Sequence, residues 1–174
     1  GYAPAPLFVP RAGAVEGSAP VVFAAGPQQK ATFCILADDR AYLSQHLGDL
    51  ETLGAWQAWH EARERYERLF GLAPQALACD KHPEYLSSKW AREQAVSLGL
   101  PLIEVQHHHA HIAAVMGENR LVGPVIGVVL DGTGYGEDGI IWGCEVMMAT
   151  RAGFERRWHL PAFGLPGGAA AVRD

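Results

Sequence analysis

Apolar and polar positions alternate along the chain in short blocks, and their spacing predicts where strands and helices form. Residues 1–18 are rich in Pro, Gly and Ala, which is typical of a linker or an extended arm. Three short apolar blocks separated by turn residues follow, over residues 21–25, 32–37 and 41–45. They predict an antiparallel three-stranded meander.

A long helix is predicted over residues 50–72, because apolar side chains recur there at helical spacing while Glu and Arg occupy the opposite, solvated face. Asp49 is predicted as its N-cap, and Gly71 lies near its C-terminal end. Strands and helices then alternate over residues 76–79, 85–98, 102–105 and 107–118. Three strands followed by alternating elements predict an α/β core with a mixed sheet.

The order of elements starts again after Gly123. The segment from Pro124 has the pattern of a strand, a Gly-rich turn and two further strands, which repeats the opening meander without sequence identity. We therefore expect a duplicated α/β fold of the actin, Hsp70 and sugar-kinase type (ASKHA). Residues 19–122 would form its first lobe, and residues 123–174 the opening strands of the second.

Composition narrows the classes of partner and the compartment. A formal net charge of -5 and an isoelectric point near 5.9 argue against general binding to nucleic acid. The longest apolar runs are far shorter than the roughly 18 residues that a membrane span needs, so no membrane association is expected. The 3 cysteines are widely separated and set among apolar residues, which is typical of reduced core thiols in a cytoplasmic protein.

A cluster of four histidines is the strongest chemical feature of the chain. The stretch IEVQHHHAHI contains His107, His108, His109 and His111. On a helix His107 and His111 share one face, which can bring two imidazoles to one metal ion. The glutamate of an H-E-x-x-H motif is missing, so a metalloprotease is not indicated. Histidine pairs on helices are also often structural, and His109 is expected to be so.

Asp131 is predicted as the third metal ligand, since it ends the apolar strand VIGVVL. Two imidazoles and a carboxylate suit Fe(II) or Zn(II), and the spacing does not choose between them. The alternative is a turn residue that starts an Asp-Gly turn.

Two loops are predicted to bind phosphate. In DGTGYGEDG the backbone amides can form an anion nest beside the hydroxyl of Thr133. In AAGPQQKATF, Gly26 allows close approach and Lys30 offers a positive charge. Glycine-rich hairpins and solvated lysines are common, so structural roles stay open. The remaining candidates are Gly132, Gly134, Tyr135 and Gly136 for the nucleotide phosphates, and His46, His82 and His108 for the cleft wall.

These motifs, together with further stretches along the chain, resemble the HypF family of hydrogenase-maturation carbamoyltransferases, in its domain similar to the tRNA threonylcarbamoyltransferases (TsaD). The matching stretches run in family order over nearly the whole chain. They are GYAPAP, KATFCILADDRAYLSQHLGDLE, CDKHPEYLSSKWA, VQHHHAHIAAVM, GPVIGVVLDGTGYGEDGIIWGCE and LPGG.

The resemblance implies that His107, His111 and Asp131 bind a metal together with a further Asp beyond residue 174. It also implies a nucleotide cleft between two lobes, bordered by the loops of Lys30 and Thr133. In the family an upstream domain makes carbamoyl-adenylate from carbamoyl phosphate and ATP, and this domain passes the carbamoyl group to the C-terminal cysteine of HypE. That cysteine is the nucleophile, so no catalytic residue is assigned within this chain.

The resemblance further implies a route to the cyanide ligands of nickel–iron hydrogenase, and a chain that does not complete the overall reaction alone. Two alternatives stay open. One is a tRNA threonylcarbamoyladenosine-type transferase. The acidic net charge and the QHHHAH motif argue against it. The other is a non-catalytic nucleotide- or metal-binding module of the Hsp70 or actin type, which leaves the paired histidines unexplained.

Overall fold

The computed structural model describes residues 3, 5–9, 19–161 and 164 of the chain. Its strands and helices form two sheets, a small hairpin and three helices over these residues. In chain order the elements are β1 (Leu7–Phe8), β2 (Val22–Ala24), β3 (Cys34–Ala37), β4 (Arg40–Leu43), α1 (Leu53–Phe70), β5 (Ala76–Asp80), α2 (Leu86–Leu98), β6 (Leu102–Val105), α3 (His107–Glu118), β7 (Val125–Val129), β8 (Gly134–Tyr135), β9 (Ile141–Trp142), β10 (Glu145–Ala149) and β11 (Phe154–His159).

The first sheet is mixed, as predicted. Its strand order is β1-β4-β3-β2-β5-β6. The pairs β4–β3 and β3–β2 are antiparallel, whereas β5 pairs in parallel with both β2 and β6. Because parallel strands share one direction, the carboxyl ends of β2, β5 and β6 lie at the same edge of the sheet. That edge is where α/β folds collect their ligands.

The second sheet repeats the strand pairing of the first meander. Its order is β11-β10-β7, with both pairs antiparallel, as β4-β3-β2 are in the first sheet. The predicted Gly-rich turn between its first two strands is itself a hairpin, in which β8 pairs with β9. The repeat of element order is therefore present, with one hairpin added.

Two hydrophobic cores support the sheets, and α3 connects them. The first core is aromatic, with the rings of Phe23 and Trp59 in edge contact at 5.8 Å. The second core contains Ile112 and Met116 of α3 together with Met147 of β10. Helix α3 follows a strand of the first sheet and packs on strands of the second. Its first turn therefore lies where the two sheets meet.

The predicted arm and lobe boundaries stay predictions. Residues 10–18 lie outside the described residues, and β1 in the arm pairs with β4 at the edge of the first sheet. Of the helices in the described part of the chain, none is long and apolar enough to cross a membrane.

The predicted N-cap of α1 is wrong. Thr52, not Asp49, caps the helix: its side-chain oxygen accepts a hydrogen bond from the backbone N–H of Ala55 at 3.2 Å. Asp49 instead accepts one from the backbone N–H of Lys30 at 2.8 Å, so its carboxylate holds the first loop. The C-terminal end is as predicted, because Gly71 ends the helix in the left-handed conformation, with φ 62°.

Thr52→Ala should lower the free energy of unfolding by about 1 kcal/mol, because a helical N–H loses its acceptor. Urea unfolding followed by circular dichroism measures this. In a peptide of residues 49–72, Thr52→Ala should also lower the helix content, whereas Asp49→Ala should leave it unchanged. Equal losses in the two peptides would contradict the cap assignment.

Candidate metal centre and cleft

The N-terminal end of α3 presents His107 and His111, one helical turn apart, to the end of β7. Gln106 caps this helix, accepting a hydrogen bond from the backbone N–H of His109 at 2.9 Å. Asp131 follows β7, and its Oδ2 lies 2.9 Å from Nε2 of His107. Nε2 of His111 lies 3.3 Å from that same nitrogen and 3.5 Å from Oδ2 of Asp131. The three predicted ligands are therefore neighbours in space.

This triangle of donor atoms has the dimensions of a metal site. In the described part of the chain, the ligand atoms of His107, His111 and Asp131 all lie within 4.8 Å of one another. Nitrogen and oxygen ligands bound to one zinc ion at about 2.0–2.2 Å lie roughly 3–3.5 Å apart, which matches the separations seen here. Two imidazoles and one carboxylate suit Zn(II) or Fe(II) and leave coordination positions for a substrate.

A second carboxylate, which the sequence analysis missed, contacts the other side of His107. Asp80 ends β5, and its Oδ2 lies 2.7 Å from Nδ1 of His107. The hydrogen bond that His107 donates to Asp80 raises the pKa of this imidazole against the lowering effect of burial, and the charge of Asp131 raises it further. The sequence does mark this position, because Asp80 directly follows the apolar run ALAC at the end of a strand.

The other histidines have different surroundings. His108 is fully buried, and its Nδ1 lies 3.3 Å from Nε2 of Gln106. Contrary to the prediction, it does not line the cleft. Burial lowers the pKa of this imidazole. His109 lies 2.8 Å from the carbonyl oxygen of Thr150, which agrees with its expected structural role. His46 is exposed and is not among the described residues that line the cleft.

His82 is not among the described residues that line the cleft, but it contacts one of them. Its ring stacks on Tyr85, with ring centres 4.1 Å apart and planes 6° from parallel. Tyr85 itself lines the cleft beside His107, a position that the sequence analysis did not single out. Burial raises the pKa of the Tyr85 hydroxyl, and the charges of Asp80 and Asp131 raise it further.

A cleft of about 790 Å³ contains the donor triangle. Its polar end includes both predicted loops, through Lys30 and Thr133, and its other end is apolar, along α3 and β7. Lys30 is exposed at this wall and has a positive φ of 48°. The cleft therefore combines a cation, a hydroxyl and three metal-type donors.

The glycines of the two loops have packing roles. A Cβ at Gly26, with φ 76°, would overlap the carbonyl oxygen of Thr32, so a side chain cannot fit in this turn. Gly134 and Gly136 lie against the rings of His108 and Trp142. None of these glycines, nor Gly132 or Tyr135, is among the described residues lining the cleft, and their binding of phosphate stays a prediction.

A buried ion pair holds the hairpin after Asp131. Glu145 is fully buried, and its carboxylate accepts hydrogen bonds from Arg156 at 2.6 and 2.9 Å and from the backbone N–H of Gly143 at 3.2 Å. The guanidinium of Arg156 also lies over the Trp142 ring, 4.0 Å from its centre. These contacts fix the position of the β8–β9 hairpin, which follows the loop that carries Thr133.

Comparison with known families identifies these elements. Residues 17–118 match the family described as HypF Kae1-like domain. The chain belongs to the HypF family. Residues 127–174 match a second family, described as Carbamoyltransferase, Kae1-like Domain, second subdomain. The resemblance seen in the sequence is thereby confirmed.

Individual HypF proteins are similar to nearly the whole chain. Carbamoyltransferase HypF2 of Cupriavidus necator is 41% identical over 96% of the chain, and Carbamoyltransferase HypF of Synechocystis is 40% identical over 99%. A crystal structure of full-length HypF in the phosphate- and nucleotide-bound form superimposes with a TM-score of 0.88, at 42% identity over 98% of the chain. The chain spans about one-fifth of the length of these HypF proteins, between 21% and 22%.

Proposed function

We propose that the chain is one segment of a carbamoyltransferase of the HypF type. In this proposal a carbamoyl group passes from carbamoyl-adenylate, made elsewhere in the enzyme from carbamoyl phosphate and ATP, to the C-terminal cysteine thiol of HypE. The product leads to the cyanide ligands of nickel–iron hydrogenase. The observation that carries the proposal is the triangle of His107, His111 and Asp131, which opens into the same cleft as Lys30 and Thr133.

The proposed fold is the duplicated ASKHA fold, with the cleft between two related lobes. The repeated pairing of β4-β3-β2 and β11-β10-β7 supports it. In this arrangement the loop after the first strand of each meander faces the cleft. Those loops carry Lys30 and Thr133, the two polar groups placed to contact phosphate oxygens.

The donor triangle would hold Fe(II) or Zn(II), together with a further Asp from a part of the family's domain beyond residue 174. When bound, the ion supplies positive charge that can polarise a carbonyl or offset the charge of a leaving phosphate. Lys30 binds phosphate as a point charge, and apolar side chains of α3 and β7 line the cleft beside the carbamoyl group.

The nucleophile in this scheme is a thiolate from the partner protein. Burial raises the pKa of Cys34 to about 12 and also raises the pKa of Cys79, so neither thiol is suited to attack. The incoming sulfur forms a bond to the carbamoyl carbon while the carbon–oxygen bond to the adenylate breaks, and AMP leaves. The residues of this chain bind and orient the substrate.

The test uses a full-length carbamoyltransferase that contains this chain as a segment. Supplied with carbamoyl phosphate, ATP and a peptide ending in cysteine, the enzyme should yield a carbamoylated thiol detectable by mass spectrometry. Lys30→Ala should slow the transfer about 10- to 100-fold, the usual loss when a charged hydrogen-bond donor is removed.

Lys89→Ala is the matched control, because Lys89 is exposed on α2 and pairs with Glu84 at 2.6 Å, outside the set of cleft residues described here. It should transfer at the wild-type rate. An enzyme that carbamoylates no thiol but modifies tRNA would favour the threonylcarbamoyl alternative, and one that only binds nucleotide would favour a non-catalytic module.

A further inference from the structure

The Asp80 carboxylate is fixed on both sides and lies outside the donor triangle. Its side chain is 8% exposed at the end of β5. Oδ2 lies 2.7 Å from Nδ1 of His107, and Oδ1 accepts a hydrogen bond from the backbone N–H of His82 at 2.8 Å. The backbone carbonyl oxygen of Asp80 accepts a hydrogen bond from the hydroxyl of Ser88 at 2.9 Å. Asp80 therefore contacts the ring nitrogen of His107 that faces away from the metal-type donors.

The position of one proton decides whether His107 can bind a metal ion through Nε2. A neutral imidazole carries a single N–H, and only the other nitrogen has a lone pair to donate. An ionised carboxylate accepts hydrogen bonds and cannot donate one. Asp80 therefore favours the proton on Nδ1, which leaves the lone pair of Nε2 directed at Asp131 and His111.

Asp131 has the opposite preference, since its Oδ2 lies 2.9 Å from Nε2 and would accept a proton placed there. Asp80 has the advantage in both distance and environment. Its contact is 2.7 Å, and its side chain is 8% exposed against 35% for Asp131. Electrostatic attraction is stronger where water is excluded. The proton should therefore stay on Nδ1.

We propose that Asp80 is a positioning residue, which holds His107 in the Nδ1-protonated tautomer and so presents Nε2 to a metal ion. This inference rests on the metal site proposed above. A carboxylate behind a histidine ligand fixes both the tautomer and the ring orientation, and its loss commonly weakens metal binding 10- to 100-fold.

Asp80→Asn tests the tautomer with little change of shape. The amide has one acceptor oxygen where the carboxylate has two, and both are in use. If the oxygen keeps the N–H of His82, the NH₂ group faces Nδ1 of His107 and the proton must move to Nε2. If the amide turned, its NH₂ group would face the backbone N–H of His82, and these two partly buried donors would lack an acceptor, at a cost of about 1–3 kcal/mol.

The experiment compares wild type, Asp80→Asn and Asp39→Asn, the last at an exposed carboxylate in the β3–β4 turn. Nitrogen-15 NMR of the metal-free chain, at a pH where His107 is neutral, reports which ring nitrogen carries the proton. Zinc titration reports affinity. Wild type and Asp39→Asn should show the Nδ1 proton, whereas Asp80→Asn should show the Nε2 proton and bind zinc 10- to 100-fold more weakly.

A wild-type His107 with its proton on Nε2 overturns the proposal, and so does an Asp80→Asn chain that keeps both the Nδ1 proton and full zinc affinity. The wild-type spectrum decides the matter if Asp80→Asn does not fold. A wild type that shows the Nδ1 proton but binds neither Zn(II) nor Fe(II) removes the metal site and leaves the tautomer assignment standing.

Discussion

His111→Ala is expected to reduce the affinity of the chain for Zn(II) by at least about 100-fold, because it removes one of three direct donors, a larger loss than that of a supporting residue. The side chain of His111 is 55% exposed, so its removal leaves no buried cavity. Isothermal titration of the metal-free chain, or competition with a chelator of known affinity, measures the change.

His159→Ala is the matched control for this experiment. His159 is exposed at the end of β11 and is not one of the residues of the donor triangle or the cleft. It should bind zinc as tightly as wild type. Equal affinities for wild type and His111→Ala would show that the three donors do not act together on one ion.

Glu145→Ala is expected to lower the free energy of unfolding by about 2–3 kcal/mol, because Arg156 loses the two charged hydrogen bonds that it donates to this buried carboxylate. Glu145 is fully buried and is bound through both oxygens to Arg156, whose side chain is 22% exposed. The variant also removes the acceptor for the backbone N–H of Gly143. Urea unfolding at constant pH measures the loss.

The control is Glu155→Ala on the neighbouring strand β11. Glu155 pairs with Arg157 at 2.8 Å, but the two side chains are 61% and 57% exposed. Such exposed pairs contribute at most about 1 kcal/mol. The assignment of Glu145 as the support of the hairpin fails if the two variants unfold at the same urea concentration.

Periodicity in the sequence was sufficient to predict the donor pair, because a spacing of four residues on a helix places His107 and His111 on one face. It did not place Asp80, because its contact with His107 depends on β5 and β6 being parallel neighbours. Strand adjacency is set by tertiary packing. A residue at a strand end can be recognised in the sequence, whereas its partner across the sheet edge cannot.

The prediction of the N-cap of α1 was wrong for a related reason. Asp49 and Thr52 are both favourable N-cap residues, and the choice between them depends on where the backbone enters the helix. Asp49 is already bound to the N–H of Lys30, a contact between residues 19 positions apart. Gly134 and Gly136 show the same limit of prediction from sequence. Their glycine-rich segment is typical of an anion nest, whereas in the structure they pack against the rings of His108 and Trp142.

The position of α3 between the two cores has a consequence for cooperativity. His107 is oriented from the first sheet by Asp80, whereas Asp131 extends from the second sheet, and the cores beneath them share no residue. An ion bound by this triangle would have affinity only for the state in which both cores are folded. Its binding free energy would then be added to both at once, so the ion would act as a crosslink that reinforces the direct contacts between the two halves, such as those of Lys81 with Glu137 and Gln106 with Tyr135.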